Sequence, residues 1–150
     1  MKATALRAPL VLGILVALLA AEAQQPTKVH RIGSLIAGFP PSEPHSPDPT
    51  VEDFRQGLRD LAYVEGQNLV IEYRYAEGRA EQLPDLAAEL VRLKVDVIVA
   101  GGTAAVRTAQ HATRTIPIVM AVAYDPVGEG FVASLARPGG NITGLSWLGA

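Results

Sequence analysis

The sequence has 150 residues, with 13 Lys and Arg against 15 Asp and Glu for a net charge of −2, and it contains no cysteine. The absent thiols exclude disulfides, thiol catalysis and thiolate metal sites. Basic residues are scattered singly, without the clustered excess that a nucleic-acid surface needs, so no nucleic-acid partner is expected.

Lys2 and Arg7 flank the start of an apolar run from Ala8 to Ala21, which is shorter than the roughly 20 residues of a membrane-spanning helix. Ala21-Glu22-Ala23 then places small residues at the two positions a signal peptidase reads. The pattern predicts a signal peptide over residues 1–23, cleaved after Ala23, and a mature protein in the periplasm. No Cys follows the run, which excludes lipid attachment through an N-terminal thioether. Residues 24–150 are the size of one ordinary domain.

Val29 to Ile36 reads as a buried strand, followed by a loop studded with Pro40, Pro41, Pro44, Pro47 and Pro49 that can be neither helix nor inner strand. Val51, Phe54, Leu58 and Leu61 fall on one face of a helix, with Thr50 placed to cap it. Leu69, Ile71, Tyr73 and Tyr75 alternate with Val70, Glu72 and Arg74, the period of two of a strand with one wetter side, as at a sheet edge. A second amphipathic helix places Leu83, Leu86, Ala87, Leu90 and Val91 on one face, and the short apolar stretch Val95 to Ala100 suits the middle of a parallel sheet. Gly101-Gly102-Thr103 leads into a third helix, Ala104 to Ala112, and Ile116 to Val122 is a fourth strand. After the loop Tyr124-Asp125-Pro126, the spacing of Val127, Phe131, Val132 and Leu135 predicts a fourth helix, and Asn141 to Ser146 a fifth strand.

Five strands alternating with helices imply an α/β fold with an open, doubly wound parallel sheet and right-handed crossovers. With the alternating second strand at an edge, the favoured order is 2-1-3-4-5. In such sheets ligands bind beyond the carboxyl ends of the strands, where the strand order reverses, here between strands 1 and 3. The loops reaching that point are Ala37 to Pro49 and Gly101 to Thr103, with Tyr124 to Pro126 beside them. The Gly101-Gly102-Thr103 turn offers free backbone N–H groups and a helix dipole to a carboxylate. Thr103 either adds its hydroxyl to the ligand or caps its own helix, and Asp125 either holds an ammonium group or caps the segment after it. Tyr124 either stacks on a ligand or shields the sheet end. The turn lacks the third glycine of a dinucleotide fingerprint and the Lys-Ser/Thr of a phosphate loop.

Catalytic and metal-binding patterns are missing. His30, His45 and His111 have no metal-ligand spacing, so no metal and no cofactor is expected. Gly144 to Gly149 resembles a nucleophile elbow only superficially, and Asn141-Ile142-Thr143 matches a glycosylation acceptor that a bacterial export signal makes accidental.

Phe54-Arg55-Gln56-Gly57-Leu58-Arg59-Asp60-Leu61, then Tyr63 to Asn68 and Ile71-Glu72-Tyr73-Arg74, resemble the ABC-transporter substrate-binding proteins of the tryptophan/tyrosine-binding type. So do Leu83-Pro84 to Val99, Thr115 to Val119, and Asp125-Pro126-Val127 running into Ser134 to Gly144. The resemblance implies a type I periplasmic-binding fold, two similar lobes closing on a small-molecule ligand such as an amino acid, and delivery to an ABC permease in the inner membrane, without enzymatic activity. It assigns the ligand to the loops after strands 1, 3 and 4. Those loops fall on Ser34, Ala37 and Gly38, on Gly102, Thr103 and Ala104, and on Tyr124 and Asp125. It also implies that residues 24–150 form the N-terminal lobe of a longer protein. Two departures stand out. Ala62 replaces the family's usual glycine after the first helix, at little cost provided φ there is negative, and the Phe39 to Pro49 loop is longer than usual. Two other classes share the fold: a ligand-sensing domain of a signalling receptor, which a neighbouring kinase would mark, and a secreted hydrolase, which the missing nucleophile elbow opposes.

Overall fold

The computed structural model describes residues 28–41 and 49–147. The signal segment, most of the proline-rich loop, His45 and the cap at Thr50 fall outside what is described of backbone or side chain. Five strands, β1 (His30–Ile36), β2 (Leu69–Tyr75), β3 (Val97–Gly101), β4 (Ile118–Tyr124) and β5 (Ile142–Trp147), form one sheet in the order β2-β1-β3-β4-β5. Every pairing is parallel. This is the order expected from the alternating pattern of β2. Helices α1 (Pro49–Asp60), α2 (Leu83–Arg92) and α3 (Thr103–Ala112) connect the strands, with a 3-10 turn over Ala80–Gln82 ahead of α2.

Helices cover the sheet on both faces, unequally. Leu35, Ile98 and Ile118 are fully buried on one face with Leu90 of α2 and Val106 of α3. Ile32, Leu69 and Ile71 are buried on the other, against Phe54 and Leu58 of α1. Each such aliphatic side chain contributes roughly 1.5–3 kcal/mol by leaving water. The wetter side of β2 carries charge, as its alternation implied. Arg74 Nε donates to Glu89 of α2 at 2.8 Å, and Arg31 of β1 pairs with Glu72 at 3.2 Å. Charged side chains on an edge strand also discourage the addition of another strand.

The strand limits that differ most from the sequence reading, by two residues, are those of β3 and β4. β4 begins after Pro117, which has no N–H to give the ladder but accepts from Ile98 N–H through its carbonyl at 2.9 Å. The strand therefore runs on to Tyr124, which closes β4 instead of belonging to the loop. β3 starts at Val97 because Val95 N–H still points back to Leu90 at the end of α2, at 3.5 Å.

The fourth predicted helix does not form. One turn begins at Pro126 and stops when Gly130 N–H bonds Val127 O at 3.0 Å and Phe131 N–H bonds Pro126 O at 2.9 Å, with Gly130 at φ 72°. These two bonds are a Schellman ending, which requires a left-handed residue and suits glycine. The apolar spacing read as helix is real but serves a loop, in which Phe131 and Val132 are buried while Val127 and Leu135 are exposed.

The same ending closes α1, without a glycine. Tyr63 N–H reaches Leu58 O and Ala62 N–H reaches Arg59 O, both at 2.9 Å, with Ala62 at φ 63°. The proviso attached to this alanine therefore fails. Left-handed backbone costs an ordinary residue about 1–2 kcal/mol, part of which a glycine would give back as extra unfolded-state entropy. Ala62→Gly is expected to stabilise the fold by about 0.5–1 kcal/mol and raise the melting temperature by roughly 2–5 °C. Calorimetry of the two proteins checks this, and an unchanged or lower melting temperature would contradict the strain at Ala62.

Candidate ligand-binding crevice

The strand order brings the carboxyl ends of β1, β3 and β4 side by side. Ile36 is in register with Gly101, and Gly101 with Val122. Neighbouring strands lie about 4.8 Å apart, so the loops after β1 and β4 flank the loop after β3 across about 10 Å, the width of a small ligand.

On the β1 side, Ala37 and Gly38 form a rim held by the main chain. Ala76 N–H donates to Ile36 O, Gly78 N–H to Ala37 O and Glu77 N–H to Gly38 O, each at 2.9 Å. These bonds commit both rim carbonyls and lock the β1 loop to the turn after β2. Phe39, just beyond, is largely exposed, its ring over Gly78. Ser34 lies deeper, two residues before the end of β1, only 7% exposed and in register with Tyr73 and Val99.

In the centre, Gly102 caps α3 with φ 93° and ψ 154°, a backbone reserved for glycine. Its N–H is already committed to Val122 O at 3.1 Å, and its carbonyl starts the helix ladder by accepting from Val106 N–H. The donors this turn can offer an anion are therefore the first helical N–H groups, those of Thr103 and Ala104, which have no acceptor within the helix. Thr103 is a helical residue, so its hydroxyl does not cap α3. The hydroxyl oxygen instead accepts from Tyr124 N–H across a long 3.4 Å contact. That leaves the hydroxyl proton available to donate elsewhere.

On the β4 side, Tyr124 is exposed at the strand end and is paired with Trp147 of β5. Asp125 follows at φ 36°, and its carboxylate accepts from Gly128 N–H at 3.0 Å. Asp125 thus caps the short turn after it while remaining solvent-exposed. The sequence left open whether Thr103 and Asp125 act as caps; the geometry makes Asp125 a cap and Thr103 a strut between the start of α3 and the end of β4.

All eight residues singled out from the sequence, Ser34, Ala37, Gly38, Gly102, Thr103, Ala104, Tyr124 and Asp125, lie on these three strand ends. Ser34 sits below the others, inside the sheet. The sequence reading missed Phe39 on the rim and Val122, whose carbonyl occupies the Gly102 N–H. Phe39 carried a signal, an aromatic residue directly after the Gly38 turn. Val122 carried none, because the contact depends on the register of β3 with β4. A separate groove of about 470 Å³ between α2 and α3, bordered by Val91, Arg92 and His111, lies away from the strand ends. Among the described residues no three His, Asp or Glu side chains gather as a metal set, and no helix is long and apolar enough to cross a membrane.

Residues 41–149 match the family model of ABC transporter substrate binding proteins. The chain belongs to that family. A tyrosine-binding protein of Clostridioides difficile (strain R20291) is 36% identical over 99 residues, which are 66% of this chain and 29% of that protein. The ligand-free, open structure of a substrate-binding protein with adhesive properties from Clostridium difficile matches 81% of the chain and 40% of its own length, with TM-score 0.73 and 29% identity. An ABC domain from Streptococcus pneumonia in complex with L-Trp matches 79% of the chain and 39% of its own length, with TM-score 0.64 and 28% identity. The chain therefore spans less than half the length of these relatives. Its sheet is the five-stranded parallel α/β lobe that the family resemblance implied.

The Thr103 strut has a measurable consequence. In Thr103→Val the Tyr124 N–H loses its acceptor, and its hydrogen exchange, followed by NMR, is expected to quicken by up to about tenfold, while Thr103→Ser keeps the slow rate. Equal exchange in all three proteins would remove the strut.

Proposed function

We propose that residues 24–150 form the N-terminal lobe of a periplasmic solute-binding protein that captures an amino acid or similar small carboxylate between two lobes and hands it to an ABC permease in the inner membrane. Family membership over residues 41–149 is the observation that carries this reading. Two further facts support the ligand class: the curated relative is a tyrosine-binding protein, and one structural neighbour holds L-Trp. The crevice is compatible with both ends of an amino acid. The Thr103 and Ala104 N–H groups and the Thr103 hydroxyl face an α-carboxylate with hydrogen bonds and a helix N-terminus. Asp125 supplies the opposite charge for an ammonium group, and the exposed rings of Phe39 and Tyr124 offer aromatic surface on either side. Lys2, Arg7, the apolar run and Ala21-Glu22-Ala23 support export and release into the periplasm.

Titration calorimetry of the full-length gene product against L-amino acids and the matching deaminated acids tests the reading. Hydrogen bonds to charged groups contribute roughly 1.5–3 kcal/mol, so Thr103→Val is expected to weaken carboxylate binding about ten- to a hundredfold. Asp125→Asn isolates charge from structure, because Asn caps a turn about as well as Asp. It is expected to weaken amino acids more than deaminated acids at an unchanged melting temperature. Equal losses for both ligand series would take Asp125 out of the ammonium site, and no binding of any amino acid or carboxylic acid would overturn the proposed ligand class. For export, mass spectrometry of the periplasmic fraction is expected to show a mature N-terminus at Gln24, and a protein retaining Met1 in the cytoplasm would refute it.

A further inference from the structure

The groove of about 470 Å³ between α2 and α3 lies on the outer side of the two helices, away from the strand ends. Pro84, Ala88 and Val91 of α2 line it, opposite Thr108, His111 and Ala112 of α3. Thr108 donates its hydroxyl back to Ala104 O at 2.9 Å, so the middle of the groove offers little to orient a small ligand. The charges around the groove stand out more than its lining. Elsewhere the chain pairs most of its ions, as in Arg31 with Glu72, Arg59 with Glu52, Arg74 with Glu89 and Arg107 with Glu129. Glu81 and Asp85 at the start of α2, Arg92 and Lys94 at its end, and Arg114 just past α3 pair with no other described residue, and all are exposed.

These charges mirror one another about Ala88. Asp85 stands three residues before it and Arg92 four after, while Glu81 stands seven before and Lys94 six after. At 1.5 Å per residue the acid and the base of each pair lie at nearly equal distances from Ala88, about 5 Å and about 10 Å along the helix axis. Consider two copies laid face to face on a twofold axis that crosses the helices at Ala88. α2 then runs antiparallel to its counterpart, Asp85 meets the partner's Arg92, and Glu81 meets the partner's Lys94, each pair occurring twice. An axis along the helices would instead set Arg92 against the partner's His111 and the partner's Arg114, and is disfavoured by like charge.

We infer that the outer face of α2 and α3 is a self-pairing surface, on which two copies of this protein associate antiparallel about Ala88. A foreign partner would need no mirror relation between the two ends of α2, and that relation selects a second copy. The two helices have ten residues each, so each is about 15 Å long and about 10 Å wide. The face is therefore smaller than the roughly 800 Å² that each partner gives to a standard interface. Pairing is accordingly weak and reversible, with Kd on the order of 10–100 µM. Because the face lies to the side of the crevice, the inference does not depend on which ligand the crevice takes.

Analytical ultracentrifugation of the complete gene product tests the pairing. The protein is expected to sediment as a monomer near 1 µM and as a dimer at several hundred µM, with the dimer weakened as salt rises from about 0.05 to about 0.5 M. Asp85→Arg and Arg92→Glu each set like charges opposite one another twice per dimer, and each is expected to raise Kd about tenfold or more at a nearly unchanged melting temperature. Mixing the two variants in equal amounts is expected to restore pairing near the original affinity, because every repulsive contact between them becomes attractive. A folding defect in either variant would not be repaired by mixing. A protein that stays monomeric at several hundred µM would overturn the inference. So would a dimer indifferent to both replacements, which places the contact elsewhere, or a mixture that pairs no better than the single variants. Amino-acid titration of the same preparations keeps the two readings apart, since a salt-sensitive dimer that binds no amino acid would keep the self-pairing face while refuting the proposed ligand.

Discussion

The two-sided pairing of β1 is the constraint from which the other features follow. β1 accepts β2 along one edge and β3 along the other, both parallel, so the chain must leave it in one direction and return in the other. Parallel neighbours need crossovers, and right-handed crossovers place α1 on one face and α2 on the other. The loops leaving β1 and β3 therefore diverge to opposite faces and open a gap between them. Leu35 of β1, fully buried, fixes the strand in that position with Leu90 and Ile98. A one-residue slip of β1 would turn Leu35 toward α1 and Ile32 toward α2, emptying both cores together. The crevice is thus a by-product of packing that could not easily be otherwise.

What lines the gap is set by how backbone groups at strand ends find partners. Buried or crowded N–H and C=O groups that are not paired cost about 1–3 kcal/mol each. On the β1 side the carbonyls of Ile36, Ala37 and Gly38 accept from the turn after β2. On the β3 side Gly102 spends its N–H on Val122, and only then do Thr103 and Ala104 begin a helix whose first donors are open. One rim has its carbonyls engaged and the centre is open to an anion. This asymmetry gives the site a defined orientation before any side chain is considered.

The sequence disclosed most of the fold because strand periodicity and burial agree. The alternation of Leu69 to Tyr75 located the edge strand, and from it the sheet order and the end of the sheet where the loops gather. It disclosed less wherever a left-handed residue decides the path. Gly130 stops the helix that the spacing of Val127, Phe131 and Leu135 predicts, because a Schellman ending uses one residue's φ and outweighs an apolar stripe. Ala62 shows the converse, a left-handed position hidden by a residue that disfavours it. Around the crevice, residue types were legible and pairings were not. Thr103 reads as either a ligand contact or a cap from its place after two glycines, while in space its hydroxyl meets the Tyr124 backbone, a contact across 21 residues that no local pattern encodes. Asn141 has a similar history. Its acceptor-like motif is exposed in sequence, while its side-chain amide donates to Ile116 O at 2.8 Å and joins β5 to the start of β4.

Under the proposed reading, these pairings determine how much binding a single lobe can supply. A ligand held by Thr103, Ala104 and Asp125 touches the lobe along one side, and its other side remains in water. Enclosure strengthens each polar contact, because a charge-assisted bond is worth more when water cannot compete for either partner. A second lobe closing over the strand ends would add that enclosure without altering the first set of contacts. The rigidity of the first set then matters more than its number. The main-chain bonds at Ala37 and Gly38, together with the Thr103 strut to Tyr124, hold both rims in place without a ligand, so little ordering entropy opposes capture. On that reading closure energy would be left to select the ligand, and selection would fall to the exposed rings of Phe39 and Tyr124.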